Sequence, residues 1–213
     1  ARAFDISFPD RGHGNISFLR PDDTPIPAYQ HSPVVADYFA HCEEQRRQRW
    51  GKWSRVIAGP GTVFPNMSYL PRQPRTIAVW HPRGPDETEA WRWFLVDRNA
   101  PPEVKEFLRQ YYIRYSGPGG LTEQDDMENW NYAHAASRGI IARRHPYNYQ
   151  MGLGAGSAIF DVEPKLPGKV LDVTDRKAAE QNQRTFYGRW AEFMDSSSWD
   201  DLATWRNGAQ NPP

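Results

Sequence analysis

Two groups of side chains in this sequence could do chemistry: six histidines (His13, His31, His41, His81, His134, His145) and the acidic run Glu123-Gln124-Asp125-Asp126-Met127-Glu128-Asn129. No two histidines stand two to five residues apart, the spacing that brings two imidazoles from one element to one metal ion. Spacing alone therefore shows no metal site, and each histidine reads as a surface or hydrogen-bonded core residue. The acidic run has two readings. Carboxylates in the first turn of a helix are favoured by the macrodipole, and a carboxylate with no local role is free to bind a cation. Cys42 is the only cysteine, which excludes an intrachain disulfide and any site held by two thiolates.

The elements that must position these groups follow from composition and pattern. The 213 residues suit one domain, expected here to be partial and to run over the whole chain, 1–213. Lys plus Arg and Asp plus Glu both number 26, so no global charge draws the chain to nucleic acid or to an anionic membrane. Nine Trp, ten Tyr and ten Phe predict an aromatic-rich core. There is no long apolar run, signal-peptide core or initiator Met, so the expectation is a soluble, cytoplasmic piece of something longer.

Residues 1–33, rich in Gly, Pro and Asp, read as strand fragments joined by turns. From Val34 to about Arg55 the absence of proline, with Val35, Tyr38, Phe39, Cys42 and Trp50 among charged residues, predicts an amphipathic helix with a basic, solvated face. After Gly59-Pro60-Gly61, the runs 62–70, 75–80 and 87–97 predict a three-stranded antiparallel meander whose two faces are both at least partly covered. Pro101-Pro102 opens a helix with Val104, Phe107, Leu108, Tyr111, Tyr112 and Tyr115 at helical spacing. Gly117-Pro118-Gly119-Gly120 breaks it. Thr122-Glu123-Gln124-Asp125 reads as a capping box opening a second helix that ends near Gly139, with Asp125 at its third position. A Gly-rich stretch, 152–156, precedes a last helix from about Asp175 to Met194, and the tail to Pro213 should be loose. No internal repeat is present.

Several ordered motifs carry a family resemblance. The block Val63-Phe64-Pro65-Asn66-Met67-Ser68-Tyr69-Leu70-Pro71 leads to Val79-Trp80-His81-Pro82-Arg83-Gly84-Pro85 with Glu89 and Trp91. Then come Gly117-Pro118-Gly119-Gly120, Glu123-Gln124-Asp125-Asp126 with Asn129, and Gln150-Met151-Gly152-Leu153-Gly154. Over about residues 56–200, and more weakly around Gly12-His13-Gly14, the chain resembles the C-terminal catalytic domain of the large (alpha) subunit of Rieske-type aromatic ring-hydroxylating dioxygenases.

The resemblance implies an α+β fold of the helix-grip type, an antiparallel sheet curved around a long helix. It implies cis-dihydroxylation of an aromatic ring by O₂ at a mononuclear Fe(II) held by two histidines and one carboxylate. Electrons would come from NADH, through a reductase and often a ferredoxin, to a [2Fe–2S] cluster. It also implies a beta subunit and other alpha subunits as partners, in an α3β3 or α3 assembly. The carboxylate matches Asp126. Both histidines lie upstream in the family, so this sequence is expected to begin after them, and a chain with one cysteine cannot hold the Rieske cluster. Alone it should bind Fe(II) weakly.

Pocket positions of the family match Ala58, Pro60, Leu70, Ile77, Val79, Ser116 and Thr122. The last two are commonly aromatic in naphthalene- and biphenyl-type enzymes, which implies a wider or more polar cavity here. Their plainer reading is that Ser116 ends one helix and Thr122 begins the next. The competing function is a metal-free helix-grip domain holding an apolar ligand.

Overall fold

The computed structural model describes residues 2–21, 29, 32–153, 169–173 and 179–202. The expected turn around 22–28, the 154–156 part of the glycine-rich stretch, the 175–178 start of the last helix and the tail from 203 lie outside them. The chain divides into two compact units. Its described elements alternate antiparallel strands and helices, an α+β architecture. No helix among the described residues is long and apolar enough to cross a membrane.

The first unit comprises 1–21, 55–68 and 149–213. Strands β1 (Arg2–Phe8), β2 (His13–Leu19), β3 (Val56–Val63) and β7 (Lys169–Val173) pair antiparallel in the order β7-β1-β2-β3. Helix α4 (Gln181–Asp195) lies on β1 and β2, the helix-grip arrangement. Gly12 makes the β1–β2 turn possible, since its φ of 72° is in the left-handed region and a Cβ there would meet Arg189 and Phe64. A Cβ on Gly14 would strike the Asn182 side chain, so this glycine lets α4 approach the sheet.

Strand β3 departs from expectation. The first strand of the meander is expected only after Gly59-Pro60-Gly61, as one run over 62–70. Instead β3 runs through all three residues, and a turn at Phe64–Asn66 separates it from β4 (Met67–Leu70). The β2–β3 register shifts between Asn15 and Ser17, so Gly59 and Pro60 form a bulge in β3 opposite the single residue Ile16. There Asn15 Nδ2 donates to the carbonyls of Gly59 (2.8 Å) and Pro60 (3.2 Å), satisfying backbone acceptors that the irregular ladder leaves open.

The contact between α4 and the sheet is polar. The last helix buries Gln181, Thr185 and Arg189 at four-residue spacing, while Tyr187 and Trp190 are half exposed. Phe186 and Phe193 instead meet Phe64 edge-on at 5.2 and 5.1 Å. On β1, Asp5 and Ser7 are buried. Burial pushes the Asp5 carboxyl up to about 6 from its usual 3.8, with Arg184 pulling it only part of the way back. A carboxylate raised in the folded state costs nothing below pH 3.8, where both states are protonated, and costs most above pH 6, where both are ionised. Asp5→Asn should therefore be more stable than the native chain at pH 7.5, by up to about 3 kcal/mol, with the difference vanishing toward pH 3.5. Denaturant unfolding at the two pH values checks this. An equal difference at both would show that folding does not raise the Asp5 pKa.

The second unit comprises 22–54 and 69–148. Helix α1 (Pro33–Trp50) is capped by Ser32, whose Oγ accepts from the Val35 N–H. Its apolar face is short. Val35 is buried, Tyr38 and Phe39 are half-buried, and Trp50 is exposed, so the expected amphipathic face fades after two turns. The later turns are polar, with Glu43–Arg46 and Glu44–Arg47 pairs along the surface. Helix α2 (Pro102–Ser116) buries Val104, Phe107 and Leu108 against Val35 and Ala100, with Tyr29, Tyr38, Phe39, Phe94, Val96 and Tyr111 packed around them.

Strands β5 (Thr76–Pro82) and β6 (Thr88–Phe94) form an antiparallel hairpin, and helix α3 (Glu123–Ser137) follows α2. The two hairpin faces differ. Trp91 and Trp93 are 50% and 47% exposed, whereas Arg92 and Phe94 on the opposite face are half-buried.

Candidate functional site

The acidic run lies in the first turns of α3. Thr122 occupies the position before the helix, but its φ of −127° and ψ of −60° are not those of a capping residue and its hydroxyl caps nothing. The expected capping box is therefore not formed, and Asp125, exposed, is not held as a cap. Other bonds replace it. Glu123 is buried against Arg92 of β6, the Gln124 amide donates to the Gly117 carbonyl, and the Leu121 N–H donates to the Arg114 carbonyl at 2.8 Å.

Asp125 and Asp126 are consequently distinguished by direction rather than by capping. At about 100° per residue, Glu123, Trp130 and His134 form one stripe of α3, and each of the three contacts the hairpin: Glu123 at Arg92, Trp130 edge-on to Trp80 at 5.7 Å, and His134 at Asp86 at 3.2 Å. Asp126 lies about 60° from that stripe and Asp125 about 160°, on the far side. Asn129, Trp130 and Ala133 are the near neighbours of Asp126 on its face. The Asp126 carboxylate has no hydrogen-bond or ion-pair partner among the described residues and is open to a cation.

Among the described residues no group of three His, Cys, Asp or Glu side chains converges on one point. His134, eight residues past Asp126, is engaged at Asp86 beside Arg138. Arg138, then His134, hold the Asp86 carboxyl below its ordinary range. His13 is engaged too: its Nδ1 accepts from the Phe64 N–H at 3.0 Å, so a neutral ring carries its proton on Nε2. Burial first, then Arg11 and Arg189, lowers the His13 pKa and favours that neutral ring. Asp126 thus offers one arm of a facial triad; Asp125 and Glu128 are exposed as well but lie farther from the packed stripe.

The positions matched to pocket walls fall in both units. In the first, Ala58 and Pro60 are exposed on β3. In the second, Ser116 ends α2 buried, its Oγ without a partner, and Thr122 is exposed at the start of α3, so these two flank the segment leading to Asp126. Leu70 is half-buried on β4. Ile77 and Val79 pair with Trp93 and Trp91 and share their face of the hairpin, whereas Ala78 and Trp80 share the opposite face with Arg92. Helix α3 meets that second face, so Ile77 and Val79 are not brought together with Asp126 across the hairpin. Sequence reasoning missed the Arg92–Glu123 pair and the Asp86 cluster. A lone cation amid the aromatic residues of β6 was the available signal for the first.

The family of ring hydroxylating alpha subunits, catalytic domain, matches residues 6–196. The chlorobenzene dioxygenase subunit alpha of Cupriavidus sp. (strain PS12) is 35% identical over 90% of this chain and 41% of its own length. The biphenyl dioxygenase subunit alpha of Paraburkholderia xenovorans (strain LB400) is 40% identical over 80% of this chain and 37% of its own. The chain thus spans about two-fifths of the length of these curated relatives. Among solved structures, naphthalene 1,2-dioxygenase from Rhodococcus sp. bound to indole is 29% identical with a TM-score of 0.66, over 92% of this chain and 46% of that one. A second naphthalene 1,2-dioxygenase, with indole in its active site, shares the fold at a TM-score of 0.72 over all of this chain and 47% of that one, at 22% identity. With a family match over residues 6–196, most of its length, the chain belongs to the catalytic-domain family of ring-hydroxylating alpha subunits.

Proposed function

We propose that this chain is the part of an aromatic ring-hydroxylating dioxygenase alpha subunit that completes the iron site with a carboxylate. Asp126 is the carboxylate ligand of a mononuclear Fe(II). The two imidazole ligands come from the portion of the subunit that this chain does not span, because no two of its own histidines are suitably spaced. The observation that carries the reading is the Asp126 carboxylate, beside the packed stripe of α3 and without a partner among the described residues, while the neighbouring Glu123 and His134 are engaged. Fe(II), when bound and supplied with electrons, activates O₂ for cis-dihydroxylation of an aromatic ring.

This chain's own residues hold and orient the ring. Leu70, Ser116 and Thr122 supply pocket-wall positions suited to a planar substrate. Ile77 and Val79, on the hairpin face of Trp91 and Trp93, are further wall positions. A [2Fe–2S] cluster elsewhere in the subunit receives electrons from NADH through a reductase and ferredoxin. A beta subunit and other alpha subunits complete a cytoplasmic α3β3 or α3 assembly. Family membership favours this reading over a metal-free ligand-binding domain.

The test is turnover of a fused-ring aromatic under ¹⁸O₂ by the subunit carrying this chain, with its electron donors. A cis-diol with label in both hydroxyls is expected. Label in one hydroxyl only, or oxygen drawn from water, would contradict the reaction class.

A further inference from the structure

Helix α3 has little apolar anchorage. Glu123 is its only buried residue, and Met127, Trp130 and Tyr132 are all exposed. A helix held this way is free to slide or roll unless specific contacts stop it. Besides the Gln124 bond to the Gly117 carbonyl, three contacts do so, and these come from the β5–β6 hairpin. Arg92 of β6 holds Glu123 at the first residue, Trp80 of β5 meets Trp130 midway, and Asp86 in the turn joins His134 and Arg138 at the C-terminal end. Asp126 stands about 60° to one side of this stripe, so a roll of the helix swings its carboxylate directly.

The three contacts are not equivalent. Asp86 and His134 are 59% and 46% exposed, whereas the side chains of Arg92 and Glu123 are only 17% and 11% exposed. An ion pair so far from water adds little net stability, because desolvation offsets its attraction. What it contributes is geometry. Here one guanidinium nitrogen, Nη1, meets one carboxylate oxygen, Oε2, an oriented charged contact where an apolar one would tolerate a slide. Arg92 has no other evident reason to be charged, since it sits between Trp91 and Trp93 and shares its face with Ala78, Trp80 and Phe94.

We propose that Arg92 is a positioning residue: by holding Glu123 it sets the rotation of α3 and hence the direction in which Asp126 presents its carboxylate to the metal ion. This rests on Asp126 being the ligand, and the pair itself touches neither metal nor substrate.

The test needs no metal. In a Cys42→Ser background, a nitroxide is attached at Asp126→Cys, and separately at Gln110→Cys on α2 as a reference. Arg92→Met is expected to loosen the spectrum at 126 and leave that at 110 unchanged, with α3 amides exchanging about tenfold faster at an unchanged Tm. Arg92→Lys should lie between, and the swapped pair Arg92→Glu with Glu123→Arg should restore the native spectrum. Should Arg92→Met lose its fold, Glu123→Gln carries the same comparison. An unchanged spectrum at 126, or equal loosening at 126 and 110, would overturn the proposal and leave the pair a plain structural contact. Because no iron enters these measurements, the positioning role and the ligand role of Asp126 can each fail alone.

Discussion

Asp126→Ala, in the subunit that carries this chain, is expected to abolish product formation while the protein stays folded. Loss of one of three ligands leaves the ion underdetermined, so turnover should fall by well over the roughly 100-fold that a supporting residue costs. Asp125→Ala is the informative control. It is exposed on the far side of α3 and caps nothing, so it should cost only the dipole contribution of a first-turn acid, about 0.3–1 kcal/mol of stability, and leave turnover near native. Steady-state turnover with far-ultraviolet circular dichroism as the folding check decides between them. Full loss in Asp125→Ala with activity retained in Asp126→Ala would reverse the assignment.

Thr122→Phe should cut turnover of a three-ring substrate by on the order of 10- to 100-fold relative to a single-ring one, the range a pocket contact can discriminate. The ring restored there would fill volume next to Asp126 that a further fused ring otherwise occupies. Thr122 is exposed and its hydroxyl caps nothing, so the change should not unravel α3. Ser116→Phe is a harsher version, because Ser116 is buried and overpacking there costs about 1–3 kcal/mol. The ratio of kcat/KM for the two substrates, at matched iron content, is the measurement. Equal losses for both would mean that these residues only end and begin helices.

Most of the helical framework was legible locally, because burial on a helix leaves a period that a single segment displays. Val104, Phe107 and Leu108 on α2 are the clear instance, and the hairpin of β5 and β6 followed from its alternation and its Pro-Gly turn. What escaped local reading depended on distant partners. Gly59-Pro60-Gly61 precedes the expected strand, yet it lies within one because Asn15, 44 residues away from Gly59, satisfies its carbonyls at a bulge. Thr122 heads a good capping sequence, yet the box does not form because Glu123 is drawn to Arg92 and Gln124 to Gly117. The burial of Gln181, Thr185 and Arg189 was hidden for a related reason, since it is the sheet under α4 that covers this polar face, while their side-chain bonds stay within the helix.

The candidate site was legible to a different degree. No spacing of histidines pointed to iron, and Asp126 stood out only through the ordered family motifs around it. The structure adds a physical distinction between the paired acids, because Arg92, Trp80 and Asp86 orient α3 so that Asp126, and not Asp125, lies beside the packed stripe.

The central claim, that Asp126 ligates the mononuclear iron, is tested most directly by metal content. In the subunit carrying this chain, mononuclear Fe(II) is quantified through the electron paramagnetic resonance signal of its nitric oxide adduct, with the visible absorption of the Rieske cluster as an internal reference. Asp126→Ala is expected to lose the mononuclear signal and keep the cluster absorption, while Asp125→Ala keeps both. Native mononuclear iron in Asp126→Ala would contradict the account.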